Sequence, residues 1–248
     1  MIAALRTAAS LLFIVIFTSL GALIGFPATW ITGSADLLYS IAMWIVRNAV
    51  RIAGIEIEIE GLEQIDPEGT YIYMCNHVSN LDPPVLIPKL PQRTSVLVKK
   101  ELFKVPILGQ AMRAGDLVPV DRSNREAAVA SMKEAERAMS AGLSMTIFPE
   151  GTRSPDGRLL PFKKGPFYLA MDSGIPVVPV TICGSERLMP KGHTVIQPGT
   201  VRLIFHSPIL PSSFRDNDEL IEAVRRQIEC GLAKCKQEFG EVPGHERL

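Results

Sequence analysis

The first fifty residues of this 248-residue chain are nearly without charge. Arg6, Asp36, Arg47 and Arg51 are the only charged residues before Gly54, and none falls between Thr7 and Ala35. So apolar a segment argues against a solvated, disordered tail. Aromatic residues make up only 6% of the chain, and 26 Lys+Arg are balanced by 26 Asp+Glu. A nucleic-acid partner, which needs a basic face, is therefore not expected. The four cysteines, Cys75, Cys183, Cys230 and Cys235, contain no C-x-x-C pair, and the four histidines are too scattered for a tetrahedral metal set. No metal is expected. Cys75 and Cys183 lie in apolar runs and read as reduced, buried thiols of a cytosolic protein. There are no internal repeats and no long polar linker, so a single domain comes after the apolar start.

That start is long enough to enter a membrane. Leu11 to Ile31 matches the roughly 20 residues needed to cross a hydrocarbon core. The run outlasts a signal-peptide core, and no small-x-small cleavage site comes after it. Leu37–Ala53 is also apolar but carries Arg47 and Arg51 one helical turn apart, which makes it amphipathic. An arginine at mid-bilayer costs about 2.5–3.5 kcal/mol, so both are expected to reach toward headgroups. Pro27 and Gly33-Ser34 are the expected breaks. Residues 1–53 thus read as a two-helix membrane anchor, either a hairpin dipping into one leaflet or one span succeeded by an interfacial helix. Arg47 and Arg51 favour the cytoplasmic face of the inner membrane for the domain from Gly54 onward.

At Gly54 the pattern changes. Ile55–Glu60 alternates strictly between Ile and Glu, the mark of a strand with one wet face near a sheet edge. Further apolar or β-branched runs occur at Tyr71–Cys75, Thr94–Val98, Leu117–Val120, Ser144–Phe148, Val177–Ile182 and Val201–Phe205. Helical patterns lie between and after them, notably Arg125–Ala141, with a Ser123/Glu126 capping box and Gly142 as its stop, and residues 218–239, closed by Gly240. The alternation predicts an α/β domain over residues 54–248, a largely parallel sheet flanked by helices.

Two loops come directly after apolar strands, where ligands of such sheets gather. The first is Asn76-His77-Val78-Ser79-Asn80-Leu81-Asp82-Pro83. Asp82 ahead of Pro83 suits the start of a helix, so Asp82 is a natural cap. It can also orient His77 if the chain turns between them. An imidazole held in this way takes a proton from an alcohol at its other nitrogen. No G-x-S-x-G elbow is present, so the base would act on a substrate hydroxyl. The second loop, Phe148-Pro149-Glu150-Gly151-Thr152-Arg153-Ser154, combines a glycine, a hydroxyl and a guanidinium, a set suited to phosphate. Its spacing is not that of a Walker loop. Lys99-Lys100 and Asp121-Arg122 are further charged loops, for which solvation is the default reading.

Asn76–Asp82 resembles the NHxSxxD block, and Phe148–Ser154 the FPEGTRS block, of glycerophospholipid acyltransferases of the 1-acylglycerol-3-phosphate O-acyltransferase type. Gly115–Arg122 is similar to the intervening block ending in Asp-Arg, with Pro119-Val120 where an aromatic is common, and Val177–Val180 to the final hydrophobic-Pro block. The resemblance implies that His77 is the base and Asp82 its partner. It places Glu150, Gly151, Thr152 and Arg153 at a glycerol-phosphate site, with Lys100, or its neighbour Lys99, and Arg122 adding charge. It further implies transfer of an acyl group from acyl-CoA or acyl-carrier protein to lysophosphatidic acid, giving phosphatidic acid at a bilayer, with no cofactor or metal. Acceptors such as glycerol 3-phosphate, a lyso-ornithine lipid or another lysophospholipid, and a non-enzymatic phospholipid-binding role, are the alternatives.

Overall fold

The computed structural model describes residues 1–120 and 125–239, the side chains of 125–130 and 239 excepted. Two helices lead the chain, α1 (Ile2–Thr32) and α2 (Asp36–Ala53). α1 runs straight through Pro27 and ends at Gly33, a left-handed cap with φ 69°. The expected break at Pro27 is therefore absent: a proline removes one N–H from the helix ladder, and a long apolar helix can absorb that loss. The two helices pack antiparallel, pairing Ser10 with Ala49, Phe13 and Phe17 with Trp44, and Gly25 with Leu38. A Cβ at Gly25 would lie 2.5 Å from Leu38 Cδ1, so the missing side chain permits the close approach.

Only α1 is long and apolar enough, among the described residues, to cross a membrane. Leu12, Leu23, Ile24 and Trp30 are exposed along it. The expected two-helix membrane anchor is corrected to one candidate helix, α1, which alone of the pair has the length and apolar composition to cross. α2 is shorter, carries Asp36, Arg47 and Arg51, and turns Val50 and Ala53 into the core of the adjoining domain.

That domain is α/β. The runs read as strands become β1 (Ile55–Glu60), β2 (Ile72–Cys75), β3 (Thr94–Lys99), β4 (Val118–Val120), β5 (Ser144–Ile147), β6 (Val177–Cys183) and β7 (Gly199–Phe205). They form a seven-stranded sheet of order β1-β7-β6-β2-β5-β3-β4, with β1 at an edge as its wet face requires. Every neighbouring pair is parallel except β6 and β7. The helices are α3 (Asp82–Leu86), α4 (Leu108–Ala114), α5 (Arg125–Ser140), α6 (Gly165–Ser173), α7 (Ser185–Leu188) and α8 (Asn217–Phe239). Ser123, half of the capping box expected for α5, lies outside the described residues.

β2 is buried on both faces, as a central parallel strand must be. Tyr73 and Cys75 face one core, with Val85 and Leu86 of α3 and Val180 and Ile182 of β6. Ile72 and Met74 face the other, with Phe167 of α6 and Leu220, Val224 and Ile228 of α8. The docking of α8 also joins Cys183 to Cys235 in a disulfide across 52 residues of sequence. The expected reduced state of Cys183 is thereby corrected. Its partner lies on the last helix, and nothing local in the sequence shows that the two meet.

Candidate active site

Parallel pairing brings the carboxyl ends of β2, β5 and β3 to one edge of the sheet, and the loops singled out in the sequence extend from those ends. After β2 the chain turns tightly enough to bring His77 and Asp82 into contact. Asp82 opens α3, yet its carboxylate does not cap that helix and points back into the loop. Its Oδ2 accepts the backbone N–H groups of Val78 and Ser79, both at 2.8 Å, and lies 2.7 Å from His77 Nδ1. Backbone amides can only donate, so Oδ2 is an acceptor and Nδ1 carries the shared hydrogen. The lone pair of His77 is therefore at Nε2. Asp82 Oδ1 accepts the hydroxyl of Ser185 at 2.5 Å. Asp82 is 0% exposed and His77 8% exposed, so the pair is walled off except at the imidazole edge.

The imidazole is held from its face as well. Phe148, at the end of β5, stacks on it with centroids 4.3 Å apart and planes inclined by 32°. The Asn76 amide bridges β2 to β6 through both the N–H and the carbonyl of Ile182, at 2.7 and 2.9 Å. Ser79 is committed elsewhere: its hydroxyl donates to Met189 O at 2.7 Å and accepts the N–H of Leu81 at 3.2 Å. It is a structural hydroxyl, with its donor and acceptor roles both taken by backbone groups.

The second loop is bolted onto the first. Glu150 Oε1 accepts the His77 N–H at 2.7 Å, Oε2 accepts the Leu160 N–H at 2.8 Å, and the Ser154 N–H donates to His77 O at 2.7 Å. With both oxygens bound to backbone, Glu150 acts as a brace between the loops. It is 2% exposed, and burial, reinforced by the negative charge of Asp82 and opposed by the two amide hydrogen bonds, pushes its carboxyl up to about 7.

Gly151 turns the chain at φ 71°, a conformation that a side chain would strain. Thr152 beyond it is exposed and Arg153 half-buried. The carbonyl of Arg153 accepts Lys191 Nζ at 2.8 Å, which brings a further cation to this loop. On β3, Lys99 pairs with Glu101 at 3.7 Å, and exposed Lys100 opens the next short 3₁₀ turn. Arg122 lies outside the described residues. Among those described, no group of three or more His, Cys, Asp or Glu side chains could hold a metal.

Two groups went unmarked in the sequence. Ser185 and Lys191 come after β6, far along the chain from either motif, and only the sheet order brings them near. The available signal was Gly184-Ser185 directly after a strand carboxyl end. Beside the loop, a cavity of about 690 Å³ is lined by Asn76 and Val78 together with Arg158, Arg187 and Arg225; neither His77 nor Asp82 lines it.

Comparison with known proteins shows the family of the chain. The family model described as Acyltransferase matches residues 56–183. A chloroplastic 1-acyl-sn-glycerol-3-phosphate acyltransferase of Brassica napus is 39% identical over 69% of this chain and 49% of its own length. The 1-acyl-sn-glycerol-3-phosphate acyltransferase beta of Homo sapiens is 30% identical over 83% of this chain and 76% of its own. The crystal structure of the 1-acyl-sn-glycerophosphate acyltransferase PlsC from Thermotoga maritima superposes with a TM-score of 0.78 at 27% identity, covering 94% of this chain and 98% of that one. The chain spans about half the length of the plant relatives it matches.

Proposed function

Since the chain belongs to the acyltransferase family, we propose that it transfers a fatty acyl group from an acyl thioester to the 2-hydroxyl of 1-acyl-sn-glycerol 3-phosphate, giving phosphatidic acid. The observation that carries this reading is the buried His77–Asp82 pair, which presents a basic Nε2 next to a glycine-hydroxyl-arginine loop.

In this reading the acceptor hydroxyl lies against Nε2 of His77. As its oxygen attacks the thioester carbonyl carbon, the proton passes to Nε2, and Asp82 stabilises the resulting imidazolium. Collapse of the tetrahedral intermediate breaks the C–S bond, and the proton leaves with sulfur as the thiol. Gly151, Thr152 and Arg153 hold the acceptor phosphate, aided by Lys100 and Arg122, while Glu150 keeps that loop in register with the base. The phosphate contacts act by positioning, which can lower a barrier by up to about 7–11 kcal/mol. A thioester is already activated, so the reaction as proposed uses no metal or organic cofactor.

The donor is acyl-CoA or acyl-carrier protein, both water-soluble. The acceptor and product are lipids. We place α1 in the bilayer, α2 at its surface and the site on the cytoplasmic face of the inner membrane. Support comes from the exposed apolar side chains of α1 and from Arg47 and Arg51 at the exit.

The test is thiol release from acyl-CoA in detergent, with and without 1-acylglycerol 3-phosphate. Wild type is expected to release thiol only with the acceptor present, and His77→Ala to lose at least about 10³-fold. Chelation by EDTA is expected to leave the rate unchanged. Normal turnover by folded His77→Ala would overturn the assignment of the base. Equal use of a phosphate-free lysolipid, with no sensitivity to Arg153→Gln, would overturn the acceptor.

A further inference from the structure

Where α2 meets the domain, a cavity of about 270 Å³ is lined by Arg47 and Arg51 of α2, Lys89 from the turn after α3, Glu56 of β1, and Pro84 and Pro88. None of the three cations is ion-paired among the described residues, even with Glu56 on the same wall. Several cations elsewhere are paired: Arg93 bonds Asp36 and Asp116, Lys164 bonds Asp218, and Arg202 bonds Glu58. Three positive groups, two from α2 and one from the turn after α3, face one cavity and repel one another unless an anion enters.

The surroundings indicate the source of that anion. Leu37 and Trp44 are exposed on α2, spaced by seven residues, and Arg47 and Arg51 continue the same stripe in steps of three and four. The exposed side chains of α2 are thus Leu37, Ser40, Trp44, Arg47 and Arg51, with Asp36 at its start held by Arg93. Apolar, aromatic and basic side chains on one exposed stripe suit a helix lying at a membrane surface, where the cations meet headgroups. The exposed apolar side chains of α1 lie on the neighbouring helix.

We propose that this cavity binds the phosphate of an anionic membrane phospholipid headgroup, clasped by Arg47, Arg51 and Lys89. The proposal rests on the placement of α1 and α2 at a membrane and is independent of the chemistry at His77. Lys89 closes the turn next to α3, whose first residue is Asp82, so a lipid bound here would tie the membrane surface to the element carrying the catalytic carboxylate.

The experiment uses the full chain in dodecyl maltoside, with Trp30→Phe so that Trp44 is the sole tryptophan reporter. Dihexanoyl phosphatidylglycerol, dihexanoyl phosphatidylcholine and inorganic phosphate are titrated in separate arms, with no thioester or acceptor present. Failure here would therefore leave the transferase reading standing, and an inactive enzyme could still bind. Phosphatidylglycerol is expected to give a saturable change, weakened on the order of fivefold for each cation removed by Arg47→Gln, Arg51→Gln or Lys89→Gln. Arg153→Gln, at the other phosphate-binding loop, is expected to leave this binding in place. Equal affinity for phosphatidylcholine, or undiminished binding by the triple variant, would overturn the site. Inorganic phosphate binding as tightly as the lipid would overturn its assignment to a membrane lipid. Should the triple variant fail to fold, Glu56→Gln, which removes the carboxylate from the cavity wall, is expected to tighten phosphatidylglycerol binding; unchanged or weaker binding would overturn the proposal.

Discussion

Asp82 receives four hydrogen bonds, and the donors differ in kind. Two are backbone amides of its own loop, one is the His77 imidazole, and the fourth is the hydroxyl of Ser185 from the far side of β6. Removing that hydroxyl leaves Oδ1 buried with one partner fewer, a loss of about 1–3 kcal/mol. Ser185 acts through Asp82, so Ser185→Ala is expected to lower kcat by roughly tenfold at constant KM and to shift the pH profile of kcat, with Ser185→Thr restoring both. A stability loss with an unmoved pH profile would make the serine merely structural. Glu150 makes a prediction of opposite character. Its carboxyl titrates near 7 in the fold against 4.5 for a free glutamate, so the folded state holds the proton more tightly. Its contribution to stability is complete below about pH 4.5 and is lost as pH rises through about 7. Relative to Glu150→Gln, wild type is expected to lose thermal stability between pH 5 and pH 8. The Gln variant, which must turn an NH₂ group toward one of the two amides, is expected to be less stable at the acidic end. Parallel melting curves across that range would refute the assignment.

At the scale of elements, the corner between β6 and α7 sets the site as much as the motif loops do. Gly184 turns there at φ 92°, and a Cβ would lie 2.5 Å from the carbonyl oxygen of Thr200 on β7. No side-chain rearrangement relieves a clash with backbone. Gly184→Ala is expected to cost about 2–4 kcal/mol and to displace Ser185 from Asp82, so that activity falls before global unfolding in a denaturant titration. Coincident loss of activity and structure would show the corner to be rigidly coupled to the whole sheet. The helical pair α1–α2 is organised differently. Gly25 there faces a flexible Leu38 side chain, where the neighbour can yield.

For the whole molecule, α8 is the C-terminal closure. It covers the second core with Leu220, Val224 and Ile228 and is stapled to β6 by Cys183–Cys235. Closing a loop of 52 residues is worth several kcal/mol in the chain-entropy account, about 3–5. Under denaturing, non-reducing conditions, alkylation and then mass measurement are expected to show label on Cys75 and Cys230 only, and on all four cysteines after reduction. Four labels without reductant would show the pair to be reduced in the isolated protein. Reduction is expected to lower the unfolding midpoint, as removal of a constraint on the unfolded chain requires.

Local periodicity determined much of this. The Ile-Glu alternation of β1, the strand runs, the span of α8 and the apolar length of α1 are legible because each depends on neighbours within a few residues. The loops holding His77, Asp82 and Arg153 were legible because polar groups placed directly after buried strands must serve some purpose. Whether Asp82 caps a helix or orients a histidine could not be read from Asp82-Pro83, since both need the same residues; the turn of the loop decided it. Ser185, the bracing by Glu150 and the Cys183–Cys235 bond were decided by tertiary structure alone. Each depends on which strand lies beside β2, or on which helix covers it. That order comes from burying both faces of the sheet at once, a global minimisation of exposed apolar surface that no short window of sequence contains.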